Sequence, residues 1–306
     1  MFFCLCPPSP YNSPMQFFVG CPVWACKGWV GNFYPEETKP SDYLREYSRR
    51  LTTIEGNTTF YAVPGPKTLE HWLSETPASF RFCPKIPKSI SHEGTLAPRV
   101  DASLEFISAM RALGERLGPI FLQLPPRYSP TFADDLRLFL DAWPRDCQLA
   151  VEVRHLDWFD APHNSELNRL LSAHGMARVV IDTRPIRSLE GDKILSGTVY
   201  QTLLEARRQK PAVPAVQERT ADFMFVRYIG HPQMAINAPL LKEWAGHIAA
   251  QLRGGSDAYV FCHCPETLAA PFLCRQLHAE VRRLVDVPPL PWEDAGRKRV
   301  EQGRLL

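Results

Sequence analysis

The chain has 306 residues, of which 45% are hydrophobic and nine are cysteine, and a formal net charge of +2. That length suits one barrel-sized domain with short extensions, and the apolar fraction fills a substantial core without disulfides. The charge is too mild to imply a general polyanion binder, and no apolar stretch approaches the length of a membrane-spanning helix.

Residues 1–15 read as a disordered leader. Met1-Phe2-Phe3-Cys4-Leu5-Cys6 lacks a basic flank, is too short for a signal-peptide core, and is followed by Pro7, Pro8, Pro10 and Pro14. Met15 is then an alternative start, and a cytoplasmic location is expected. From Phe17 onward, apolar runs recur, each ending in a polar residue: Phe17–Gly20, Leu51–Asn57, Phe80–Lys85, Ile120–Gln123, Leu149–Arg154, Val179–Asp182, Phe223–Arg227 and Tyr259–His263. Amphipathic stretches separate most of them. Ser41-Asp42 caps a helix through Leu44, Tyr47 and Leu51, and Pro66 opens one with Leu69, Trp72 and Leu73 on one face. Later stretches run Leu104 to Leu117, Phe132 to Trp143, Ser165 to His174, Leu240 to Leu252 and Thr267 to Leu284. Alternating strands and helices predict a single α/β domain over residues 16–285, a TIM (β/α)8-type barrel of parallel strands with outer helices.

One connection is longer than a crossover needs. Residues 186–222, with a helix around Tyr200 to Lys210, read as an insertion between strands 6 and 7 that either roofs the barrel mouth or elaborates the crossover. Residues 286–306, beginning with Pro288-Pro289-Leu290-Pro291 and then charged, read as a mobile tail. The basic groups Arg49-Arg50, Arg207-Arg208 and Arg297-Lys298-Arg299 read as solvated faces.

In a TIM barrel the strand C-termini build the site, so Glu55, Asn57, Lys85, Gln123, Glu152, Arg154, Asp182, Arg227 and His263 are expected at one mouth. Period-two alternation turns Glu55 and Glu152 inward, near Lys85 and Arg154, where mutual pairing shifts pKa values. The competing reading is a salt-bridge ring tying the strand ends together. Glu55, Glu152, Asp182 and His263 are the candidate catalytic residues. Asn57, Tyr61, Lys85, Gln123, Arg154, Arg227 and Gly230 are the candidate ligand contacts. Arg227 offers a bidentate fork, Gly230 a close backbone approach to an anion, and Tyr61 a stacking face. The remaining aromatics of the first loop, Trp24, Trp29, Phe33 and Tyr34, read as packing, and His92, His155 and His163 as surface or hydrogen-bonded residues. Cys262-His263-Cys264 and Cys21 to Cys26 lack the spacing of a zinc knuckle, so no metal ligand set is assigned.

Five motifs in order carry a family resemblance: Gly28-Trp29-Val30-Gly31-Asn32-Phe33-Tyr34-Pro35, Glu55-Gly56-Asn57-Thr58-Thr59-Phe60-Tyr61, Phe82-Cys83-Pro84-Lys85-Ile86-Pro87, Gln123-Leu124-Pro125-Pro126 and Glu152-Val153-Arg154-His155. Together they resemble the YecE-like proteins, the domain of unknown function seventy-two, over about residues 16 to 285. The resemblance implies a cytoplasmic TIM barrel with a polar pocket at the strand ends and supplies no reaction. Many members carry Arg-x-His-Gly after the seventh strand and an Asn pair after the eighth. This chain instead has Arg227-Tyr228-Ile229-Gly230-His231-Pro232 and His263-Cys264-Pro265-Glu266, so the family pattern transfers least to His231, His263 and Glu266.

The leading functional expectation is an enzyme, of hydrolase or phosphoester-processing type, acting on an anionic small molecule or nucleotide-like ester. Lys85, Arg154 and Arg227 would hold the anion, with Glu55 or Glu152 as general base. A divalent metal held by Glu55, Glu152, Asp182 and His263 is a subclass that the interspersed cations disfavour. The alternative is a non-catalytic nucleic-acid or nucleotide binder using the same cations and Tyr61. A third reading is an interaction protein working through residues 186–222.

Overall fold

A computed structural model describes residues 15–293 of the chain. The leader, apart from Met15, and the tail beyond residue 293 lie outside the described residues. Eight strands, β1 Phe17–Cys21, β2 Thr53–Gly56, β3 Arg81–Pro84, β4 Ile120–Gln123, β5 Leu149–Glu152, β6 Ala177–Asp182, β7 Phe223–Ile229 and β8 Asp257–His263, alternate with helices. The helices are α1 Tyr43–Ser48, α2 Pro66–Glu75, α3 Lys88–Ser91, α4 Val100–Met110, α5 Ala133–Asp141, α6 His163–Ala173, α7 Arg184–Arg187, α8 Gly197–Gln209, α9 Met234–Arg253 and α10 Ala270–Arg282.

The strands are parallel and ordered β3-β2-β1-β8-β7-β6-β5-β4. Two parallel bridges, Phe82 to Leu117 and Lys85 to Phe121, bring β3 against β4, so the barrel is nearly closed. These strands are apolar on both faces because both are covered: one row packs on the helices and the other fills the barrel. Val19, Ile54, Leu122, Val151, Val226 and Val260 belong to the outer core shared with the helices. Phe18, Phe121, Val179, Phe225, Tyr259 and Phe261 form a separate inner core.

Residues 186–222 are a packed roof. Leu203 and Ile186 form a small core with Ile181 of β6 and Ile229 of β7. Arg207 pairs with Asp192 at 2.8 Å, and Arg187 donates to the Lys210 carbonyl at 2.8 Å. Arg207 is therefore tucked in rather than solvated, as is Arg50, which pairs with Glu46 at 2.6 Å.

The tail is corrected over its described part. Leu290 is 1% exposed, and Trp292 packs edge-on against Phe33 with ring centroids 4.9 Å apart. Pro288 and Pro289 keep the chain out of α10, Pro291 opens a new helical turn, and the segment presents Val287, Leu290 and Trp292 to the core. Among the described residues, no helix is long and apolar enough to cross a membrane.

Candidate functional site

The strand ends deliver an ionic layer seated on an aromatic floor. The Arg227 guanidinium lies 5.0 Å from the centre of the Phe121 ring, which stacks on Phe225 at 5.3 Å, and Phe225 meets Phe261 at 4.8 Å. Inward parity continues upward from these rings, so the next positions on the same strands are Gln123, Arg227 and His263.

Arg227 holds two carboxylates from opposite sides. Its Nε and Nη2 donate to Glu55 at 2.9 Å each, and Nη1 donates to Glu152 at 2.7 Å. Glu55 also meets His263 Nε2 at 2.9 Å and accepts from Asn57 Nδ2 at 2.9 Å. Glu152 accepts from Gln123 Nε2 at 2.8 Å and Arg154 Nε at 2.7 Å. Both carboxylates are fully buried. Burial opposes their ionisation, but Arg227 and His263 hold Glu55 well below the usual carboxylate range. Arg227 and Arg154 likewise hold Glu152 down to about 2.

The two glutamates therefore reach the mouth as expected, but as saturated counter-ions. Their oxygens are occupied and their basicity is suppressed, which corrects their expected role as general bases. Arg227 likewise spends every guanidinium nitrogen on them, so its fork is not free to grip a ligand.

Above this layer lies a cavity of about 540 Å³ lined by Lys85, Lys88, Arg154, Lys210 and Arg227, together with Asn57, Gln123, His92, His263 and the rings of Phe60 and Tyr61. No carboxylate lines it among the described residues. Arg154 commits only Nε, leaving both terminal nitrogens without a described protein partner. Lys85 Nζ donates to Gln123 Oε1 at 2.9 Å and sits 4.2 Å from the Phe60 ring centre. Burial, then the Arg227 charge, pushes Lys85 down to about 8, and the same causes bring Lys210 to about 8. Burial is the main cause that lowers His263 to about 4; Glu55 opposes it, and the Arg227 charge adds to the lowering. An ionised carboxylate only accepts, so the His263 proton is assigned to Nε2 and its Nδ1 is the lone-pair nitrogen.

Two expected site residues do not join. Asp182 follows Ala177, Val179 and Ile181 on β6 and so points outward, where it accepts from Trp244 Nε1 at 2.8 Å and pairs with Arg184 at 2.8 Å. The Gly230 amide is consumed by the His263 carbonyl at 2.8 Å, and a side chain there would strike Leu273 of the helical shell, so no anion nest forms. Tyr61 stands at the rim, 82% exposed. Neither His231 nor Glu266 lines the cavity. Among the described residues no group of three His, Cys, Asp or Glu side chains is placed to hold a metal ion.

Sequence reasoning missed Lys210 and Gln209 from the roof, Lys88 of the one-turn helix α3 and His92 just after it, and Phe60. His92, expected as a surface or hydrogen-bonded residue, does bond Ser91 Oγ through Nδ1 at 2.8 Å, but it also lines the cavity. Its proximity to Lys85, which with burial lowers it to about 4, is a tertiary fact. A larger hollow of about 2000 Å³ lies among Phe33, Arg45, Glu75, Phe272 and Trp292, away from the strand ends that carry the ionic layer.

The profile described as "Protein of unknown function DUF72" matches residues 18–295. The chain belongs to the DUF72 family. It is 32% identical to the UPF0759 protein YecE of Escherichia coli (strain K12) over 285 residues, which cover 92% of this chain and 99% of that protein. It is 22% identical to the UPF0759 protein YunF of Bacillus subtilis (strain 168), covering 80% of this chain and 87% of that one. Solved DUF72 structures share the fold. One from Thermotoga maritima MSB8 aligns with a TM-score of 0.62 at 20% identity, covering 88% of this chain and 98% of its own. Another, from Enterococcus faecalis V583, aligns with a TM-score of 0.63 at 15% identity over 88% and 98%. The family resemblance read from the five motifs thus holds across the DUF72 domain.

Proposed function

We propose that this DUF72 protein is an enzyme acting on an anionic, phosphate- or carboxylate-bearing small molecule in the mouth of the barrel. The observation that carries this reading is the cavity lining itself: five cationic side chains line one open hollow, no carboxylate lines it among the described residues, and Glu55 and Glu152 are buried beneath it. About 540 Å³ suits a metabolite-sized ligand. A single hollow, unlike a basic stripe, offers a long nucleic acid little to track.

Arg154, Lys85 and Lys210 are the anion contacts, since their N–H donors remain open. Glu55 and Glu152 are positioning residues that hold Arg227, Arg154, His263 and Gln123 in register. The lining groups that titrate near neutrality are Lys85 and Lys210, and among the described residues no carboxylate lines the cavity as a hydrolytic base. The unpaired state of the described cysteines suits a reducing, cytoplasmic setting.

Calorimetric titration of the parent and Arg154→Ala with pyrophosphate tests the anion contacts. Loss of one desolvated charge-assisted contact, about 1.5–3 kcal/mol, weakens binding about ten- to hundredfold. If pyrophosphate does not bind the parent, or binds the variant equally well, the anion reading is wrong.

A further inference from the structure

We propose that Lys85 forms an imine with a carbonyl carbon of the anionic substrate. The inference rests on the reading of the mouth as an anion site and adds a substrate class: an aldehyde or ketone carrying phosphate or carboxylate.

The argument begins with what surrounds the amine. Lys85 follows the end of β3 and is 7% exposed. Its one described hydrogen-bond partner is the neutral oxygen of Gln123. That orientation is fixed, because the same amide donates its NH2 to Glu152 at 2.8 Å and so must turn Oε1 toward Lys85. Among the described residues no carboxylate lies within 4.0 Å of Nζ, in contrast to Arg227 and Arg154. Against it lie the rings of Phe60 at 4.2 Å and Phe121 at 5.6 Å, with the Arg227 guanidinium, whose charge outweighs that of Glu55 or of Glu152 on this amine, in the same layer. A lysine kept for structure is ordinarily paired with a carboxylate. This one is desolvated beside another cation, the setting that leaves an amine unprotonated and nucleophilic. At pH 7 an amine that titrates near 8 is about one-tenth free, against about one part in a few thousand for an ordinary lysine.

The step balances without a further reagent. Neutral Nζ adds to the carbonyl carbon, forming the C–N bond and moving one amine proton to the oxygen. The C–O bond then breaks, and the oxygen leaves as water with both hydrogens that Nζ brought. Uptake of one proton from solvent converts the imine to the iminium. Arg154 and Lys210 hold the anionic end meanwhile, and the lone pair of His263 Nδ1 is the open proton relay in the lining.

Reductive trapping of the full-length protein tests the proposal, using pyridoxal 5′-phosphate as a phosphate-bearing aldehyde probe, pyridoxal as its phosphate-free counterpart, and cyanoborohydride. Peptide mapping is expected to place the adduct on Lys85 with at least about a tenfold preference over exposed Lys39, Lys67 and Lys242. Pyrophosphate is expected to protect Lys85, and Lys85→Met, checked for a native circular-dichroism spectrum, to lose the adduct. Because mapping is done on the parent, the result stands even if that variant does not fold. Adducts spread over exposed lysines, or confined to Lys210, overturn the imine. Pyrophosphate binding without trapping at Lys85 sinks the imine alone. Equal trapping at Lys85 by both aldehydes keeps the imine and sinks the anion reading.

Discussion

Glu55 and Glu152 never touch each other, yet both are bound to the same guanidinium, that of Arg227, at 2.9 Å and 2.7 Å. One cation thus joins strands β2, β5 and β7 above the inner core. Removing it leaves two buried carboxylates with insufficient counter-charge. Arg227→Met is expected to cost about 3–5 kcal/mol, because breaking a buried ion pair strands its partners. Urea unfolding measures it; a loss within about 0.5 kcal/mol of parent would mean that the carboxylates relax into water.

Anion affinity is expected to fall as pH rises through about 8. Lys85 and Lys210 both titrate near 8 in the free protein, and an anion favours their protonated forms. Calorimetry near pH 8 in two buffers of different ionisation enthalpy is expected to register proton uptake on binding. A heat that is identical in both buffers contradicts this assignment.

Lys210 comes from the roof and carries no described ion pair, so it separates binding from folding. Lys210→Ala is expected to weaken pyrophosphate binding about tenfold while moving the unfolding midpoint little. Unchanged affinity would assign the anion to the barrel cations alone.

Acid stability follows from the same layer. Glu55 and Glu152 have depressed folded-state pKa values, so their contribution is fully present above the unfolded value of 4.5 and is lost as pH falls toward about 2. His263 stays neutral in the fold down to about 4 whereas an unfolded imidazole charges near 6.5, so its effect has the same sign and begins earlier. Denaturant midpoints measured between pH 7 and pH 3 are expected to decline progressively; a flat profile contradicts the network.

Leu290 anchors the segment after α10. Leu290→Ala is expected to destabilise by about 2–5 kcal/mol as a fully buried leucine does, and thermal unfolding reads it. A change within error would mean that the proline-rich strip is held by Trp292 alone.

Much of the mouth was legible because a strand of known direction fixes both the end and the parity of each side chain. Glu55, Gln123, Glu152, Arg227 and His263 come together for that reason. Asp182 fails on the same rule: the apolar residues Val179 and Ile181 occupy the inward positions, leaving Asp182 outside. The basicity of Glu55 and Glu152 could not be read, since it depends on how many donors reach them across the barrel. Lys210, Lys88 and His92 lie in an insertion, on a one-turn helix and just after it, where no periodicity announces direction. Prolines in the tail were equally ambiguous, because a packed segment and a mobile end share the same breakers.

The way the roof is fastened separates two kinds of selection. Ile181, Ile186, Leu203 and Ile229, with Leu195, Ala206 and Val213 packed against them, form the small core that clamps α8 to the mouth, whereas the ionic layer of Glu55, Glu152 and Arg227 is rooted in the barrel itself. On the proposed reading the cations of the strand ends, joined by Lys210 from the roof, select the head group, and the clamp beside them limits the bulk of whatever is attached to it. Remodelling the apolar face of α8 is then expected to retune size while leaving the ionic layer of the strand ends in place.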